Sequence, residues 1–125
     1  MSGFAIERSP EQTYDLIRTA VVSRHPISAA YHGLPRRLCP HRLGWNSEGR
    51  PQVLCYQYGG ESESGLRPSG ALENWRCLVV AELRDMSLLA ERWRTAPNHT
   101  RPQTCIVRVD VDAEDYPERD PQNGH

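Results

Sequence analysis

The sequence predicts a mainly-β domain of the α+β class: a five-stranded, strongly bent antiparallel sheet, with an N-terminal helix and a short helix before the last strand. Three observations predict it. The stretch SPEQTYDLIRTAVVSRHP carries helical spacing and signals at both ends. Five later stretches read as short strands. Pro40, Gly44 and the Gly59-Gly60 pair sit inside or beside those strands, where a small barrel turns its corners.

The helix is expected over 10–23. Ser9 can cap it, Pro10 suits the first helical position, and Gln12 stands at the reciprocal capping-box position. Tyr14, Ile17 and Val21 follow at helical spacing, Leu16 and Ala20 widen the stripe, and Pro26 closes it. ISAAYH (27–32) reads as the first strand and HGLP as a turn. RRLCPHRLGWN is the second strand, with Pro40 marking an edge or a bulge. NSEG (46–49) is a tight turn. In PQVLCYQY, the third strand, Val53 and Cys55 face one way and Leu54, Tyr56 and Tyr58 the other. GGESESGLRPSGALEN is a long polar loop. WRCLVVAEL is a largely buried fourth strand, Asp85 caps a helix over MSLLAERW, and APNHTRP is a loop. TCIVRVDVD closes the domain, with Cys105, Val107, Val109 and Val111 inward and Arg108, Asp110 and Asp112 outward. The expected organisation is an arm over 1–9, one domain over 10–112, and an acidic, disordered tail over 113–125.

A chain of 125 residues supports one modest core. It has no signal-peptide pattern and nothing near the ~18 apolar residues of a membrane span, so a cytoplasmic protein without membrane association is expected. Every basic residue among the fifteen is Arg. Codon bias explains the preference, yet Arg offers a planar fork to phosphate and stacks on aromatic rings, which Lys does not. Charge is uneven: residues 1–109 carry a net +4 and residues 110–125 a net −5. A mildly basic body suits an anionic ligand, and the tail could occupy the same face as an internal mimic. The excess is too small for a dedicated DNA-binding protein.

Cys39, Cys55, Cys77 and Cys105 lack C-x-x-C spacing, and each reads as a small buried hydrophobe. Cys39 and His41, two apart, are the place to look for a metal, although none is predicted. No catalytic constellation stands out: Ser62 and Ser64 lack a partnering His and Asp, and GGESESG lacks the Lys of a phosphate-binding loop. A non-enzymatic protein without a cofactor is therefore expected. Asp110 and Asp112 could hold a cation, but read more simply as guards of an edge strand.

Several motifs resemble the WYL domain family. The likeness runs from Tyr31 through Arg36-Arg37-Leu38-Cys39-Pro40, the hairpin to Leu54 and Tyr56, and Trp75-Arg76-Cys77-Leu78. Only Leu54 of the name-giving tripeptide is present, the chain having Gln52-Val53-Leu54 there. Pro40, His41 and Gly44, the Y-Q-x-G-G of 56–60 and the W-R of 75–76 resemble a stand-alone branch without the helix-turn-helix. The resemblance implies an Sm/SH3-like barrel with a regulatory role in transcription. It would bind single-stranded nucleic acid or a nucleotide-like effector in a basic, aromatic-lined groove built from Tyr31, Arg37, His41, Tyr56 and Arg76.

The residues fit that expectation chemically. Arg37 and Arg76 can fork onto phosphate, Tyr56 offers a stacking face, and Gln57 can read a base edge. Each has a plainer reading as core, sheet surface or solvated strand. His41 reads first as a polar residue fixing the bend at Pro40, with ligand contact and metal ligation as alternatives. Trp75 reads as core and Trp45 as exposed. The competing functional class is a protein-interaction or oligomerisation module, including a homodimer, whose basic face docks an acidic partner.

Overall fold

The computed structural model describes residues 8–61, 74–94 and 105–116. The N-terminal arm, most of the polar loop with Ser62 and Ser64, the APNHTRP loop and the end of the tail lie outside the described residues. Helix α1 spans Pro10–Ser23 with the full capping box: Gln12 N–H donates to Ser9 Oγ, and Ser9 N–H to Gln12 Oε1. Thr13, Ile17, Ala20 and Val21 form its buried face. Arg24 ends the helix in a left-handed conformation, and its guanidinium donates to the Ala113 carbonyl. No helix among the described residues is long and apolar enough to cross a membrane.

Six antiparallel strands form one unclosed sheet: β1 (Ile27–Tyr31), β2 (Leu34–Trp45), β3 (Pro51–Gly60), β4 (Trp75–Val79), β5 (Leu83–Leu88) and β6 (Arg108–Asp112). Their order is β4-β3-β2-β1-β5, with β6 also on β2. Strand β2 organises the sheet. One of its edges pairs with β3 throughout, while the other serves β1 over Leu34–Leu38 and β6 over Arg42–Trp45. Pro40, which has no N–H to donate, stands between those two partners. It marks a bulge rather than an edge, since the β2–β3 register shifts between Pro40 and Arg42. A second shift lies between Arg37 and Leu38, opposite Gln57 and Gly59, and a third on β6 opposite Leu43 and Gly44. A Cβ at Gly44 would meet the Arg108 carbonyl, so glycine lets β6 close onto β2.

Ile17, Val21, Ile27, Leu38, Leu43, Val53, Tyr56, Leu78, Val80 and Met86 lie in the core. Strand β3 is buried on both faces from Val53 to Gln57, so its alternation separates no wet face from a dry one.

Five expectations change. The fourth strand breaks at a 3-10 turn, Val80–Glu82, so the described residues form six strands and not five. Of the segment expected to form a helix after Asp85, residues 86–88 belong instead to β5 and residues 89–93 lie in neither helix nor strand. Asp85 takes φ 54 in a bulge against β1, so the buried residues become Leu83 and Met86, three apart, which imitates helical spacing. A bulge also inverts the last strand's phase: Ile106 and Val111 are buried, whereas Val107 and Val109 are exposed. Finally, Cys77 and Cys105 are joined in a disulfide with Cα atoms 6.6 Å apart; only Cys39 and Cys55 are free and buried. The tail's first residues also differ from expectation, since Ala113–Asp115 forms a 3-10 turn with Ala113 fully buried.

Candidate anion-binding groove

The six predicted site residues do not converge. Tyr56 is fully buried, its ring packed edge-on against Trp75 with centroids 5.2 Å apart, and so presents no face for a base. Gln57 is equally buried; its Nε2 donates to the Gly59 and Glu61 carbonyls at 3.1 and 3.0 Å, fixing the end of β3 rather than reading a ligand. His41 is 2% exposed, with Nδ1 donating to the Cys39 carbonyl at 2.8 Å and its ring between contacts to Trp75 and Trp93. Because a carbonyl only accepts, that bond places a proton on Nδ1. The histidine ties the bulge at Pro40, as its structural reading expected.

Tyr31 is buried too. Its hydroxyl accepts from Val79 N–H at 3.0 Å, joining β1 to the end of β4. Arg76, half-buried on β4, donates to the Trp75 carbonyl. Of the six, Arg37 lines a cavity.

That cavity is a groove of about 590 Å³ across β1, β2 and β5, lined by Ser28, Ala29, Ala30, Pro35, Arg36, Arg37, Gly60 and Asp85. Strand pairing explains its chemistry. Ser28 faces Arg37 and Ala29 faces Arg36, so alternate residues take opposite faces of the sheet. Arg37 is exposed, whereas Arg36 is 3% exposed. The Arg36 guanidinium stands 5.1 Å from the centroid of the Tyr31 ring, and its Nη2 donates to the Tyr31 carbonyl at 3.3 Å. One arginine therefore underlies the groove while its neighbour faces the solvent.

The stem of Arg37 runs along Gly59, where a Cβ would come 3.3 Å from Arg37 Cδ. Gly60, at φ 82, brings the end of β3 onto the Pro35 and Arg36 backbone, and Glu61 N–H donates to the Pro35 carbonyl at 2.7 Å. Neither Arg37 nor Asp85 has an ion-pair partner among the described residues. Other arginines are engaged: Arg84 binds the Ala81 and Leu83 carbonyls, Arg42 binds Asp112, and Arg18 binds Asp110.

Other candidate chemistry is already occupied. Tyr14 Oη donates to Asp110 at 2.6 Å, and Asp112 takes Arg42 and caps the turn at Glu114, so the paired carboxylates brace β6. No group of three His, Cys, Asp or Glu side chains suited to a metal exists among the described residues. Burial pushes the Cys39 thiol from 9.0 up to about 12 and raises Cys55 as well, so neither is a nucleophile at neutral pH. Comparison with known proteins returns no matching family model, no similar curated protein and no similar solved structure. Ser28, Arg36 and Asp85 are not among the site residues expected from the sequence. The Arg-Arg doublet was the signal for Arg36, but only the pairing register shows which arginine faces outward.

Proposed function

We propose that this protein is a non-enzymatic ligand-binding domain with a regulatory role, whose groove holds an anionic, nucleotide-like ligand. The observation that carries the reading is Arg37: an exposed guanidinium lining a groove without a carboxylate partner among the described residues. Its five donors suit a phosphate through charge-assisted bonds. The groove volume lies in the ~300–1,000 Å³ range of small-molecule sites, and phosphate recognition replaces stacking on Tyr56. The finer fold reading has support from the order β4-β3-β2-β1-β5 and the 3-10 link between β4 and β5, which suit an Sm/SH3-like domain of the WYL-like type.

Titration of labelled single-stranded DNA and RNA, and of mononucleotides by calorimetry, tests the proposal at two salt concentrations with Arg37→Ala alongside. Binding that weakens with salt and is lost in the variant supports it. Nucleotide binding indifferent to Arg37, or none at millimolar ligand, overturns it.

A second reading has its own observation. Val107 and Val109 are 62% and 48% exposed beside Trp45, whose ring lies under Arg108, which suits contact with a protein. Sedimentation of the full chain distinguishes self-association through this face from a monomer.

A further inference from the structure

We infer that the groove selects a guanine nucleotide, with phosphate at Arg37 and the base edge at Asp85. This rests on the groove being a nucleotide site and adds which base it takes. Arg37 stands on β2 and Asp85 on β5, and β1 lies between them. Two interstrand spacings separate the two positions by about 10 Å. A lone phosphate held at Arg37 leaves the Asp85 end without a partner; a mononucleotide, with its phosphate and base at opposite ends, supplies one to each.

The second pole has definite chemistry. Asp85 is exposed, lines the groove, and has no hydrogen bond or ion pair among the described residues. The bulge places it there: Ser28 pairs with Ser87 and Ala30 with Arg84, so β5 carries an extra residue opposite Ala29. Arg84, the neighbouring charge, is turned back onto the carbonyls of Ala81 and Leu83. A groove with a cation at one end and a carboxylate at the other repels a purely anionic ligand at its Asp85 end. It favours one whose far end presents hydrogen-bond donors.

An ionised carboxylate only accepts, and its two oxygens match two parallel N–H groups. Guanine offers that pair, N1–H beside the N2 amine. Adenine sets the acceptor N1 beside its amine, cytosine sets N3 beside its amine, and uracil flanks its single N–H with two carbonyls. Each of these would direct a lone pair at the carboxylate. Ser28, on the strand between the poles, leaves a hydroxyl for the ribose.

Calorimetry of the full chain with GMP, IMP, AMP, CMP, UMP and inorganic phosphate tests the inference. The expected result is GMP bound on the order of tenfold tighter than AMP, CMP or UMP, with IMP, which lacks the N2 amine, in between. Asp85→Asn should bring GMP down to the AMP level. Asparagine also tolerates the left-handed backbone, so this variant keeps the bulge. Arg37→Ala should weaken every nucleotide. Equal binding of all nucleotides, or a GMP preference that survives Asp85→Asn, overturns base selection while leaving the nucleotide site standing. Absence of binding by any nucleotide overturns both. The IMP comparison needs no variant, so it decides the question even if a substitution disturbs folding.

Discussion

Replacing Gly60 with alanine tests how the groove wall is built. Gly60 has φ 82, and Gly49 in the β2–β3 turn has φ 79, so the backbone strain of an added side chain is nearly equal at the two sites. That strain is worth ~1–2 kcal/mol. Their surroundings differ. A Cβ at Gly49 meets nothing within 4 Å, whereas one at Gly60 would lie 2.7 Å from Arg36 Cα and 2.9 Å from the Pro35 carbonyl carbon. These are backbone atoms held in the β1–β2–β3 ladder, so no rotamer change relieves the clash. Overpacking of this kind adds ~1–3 kcal/mol. Gly49→Ala should therefore cost ~1–2 kcal/mol and Gly60→Ala ~2–5 kcal/mol. Urea unfolding followed by tryptophan fluorescence reads both, and with m of ~1–3 kcal/mol/M a loss of 3 kcal/mol moves the midpoint by ~1–3 M. Equal losses at the two positions would refute the close approach of β3 to Pro35 and, with it, the shape of the groove.

Alkaline pH should destabilise the fold: folded Cys39 keeps its proton up to about 12 while the unfolded thiol releases it above 9.0, so its contribution is fully present below pH 9 and falls by ~1.4 kcal/mol per pH unit above it, with the buried Cys55 thiol acting in the same direction. Urea midpoints at pH 8 and 10 check this, with Cys39→Ala expected to flatten the slope and an identical slope counting against it. Reducing the Cys77–Cys105 disulfide, which spans a separation of 28 residues, should cost ~3.6 kcal/mol by chain entropy; two rather than four thiols should titrate in the unreduced, denatured protein, and four would show that the bridge is absent. Arg36→Leu should lower the urea midpoint by the equivalent of ~2–4 kcal/mol through loss of its contacts with Tyr31. Arg37→Ala should stay within ~0.5 kcal/mol of wild type, and equal losses would mean that the two side chains do not face opposite ways. Removing residues 117–125 should tighten nucleotide binding at low salt if the acidic tail competes for the groove; an unchanged affinity removes that role. The cut belongs after Tyr116 because Ala113 is buried and its carbonyl holds Arg24.

Local signals were legible where local chemistry decides structure. Ser9, Pro10 and Gln12 fixed the start of α1, and the 46–49 turn closes through Asn46, whose Oδ1 accepts from Glu48 and Arg50 N–H. Bends were legible as places, at Pro40, Gly44 and Gly59-Gly60, but their consequences were not. A bulge adds one residue and reverses the face of everything beyond it. Asp85 and Asp110, which sit at such shifts, carry no sequence mark that separates a bulge from an outward-facing acid, so β5 read as a helix and the valines of β6 read inward. The disulfide escaped for a related reason: its cysteines stand 28 residues apart and meet through tertiary structure alone.

The site followed the same division. Residue chemistry pointed to arginine and phosphate, and of those arginines Arg37 lines the groove on which the proposed function rests. The aromatic half did not survive because β3 is covered on both faces, which turns Tyr56 and Gln57 from ligand groups into core. The adjacent arginines show how register converts composition into function. Arg36, opposite Ala29, spends its guanidinium on the ring and carbonyl of Tyr31, whose hydroxyl in turn receives Val79 N–H. That chain fixes the groove floor to the end of β4. Arg37, one residue on and opposite Ser28, faces solvent and has no ion pair among the described residues. Packing of its stem along Gly59 limits the freedom this side chain would lose on meeting an anion, and preorganisation of that kind raises affinity without adding contacts.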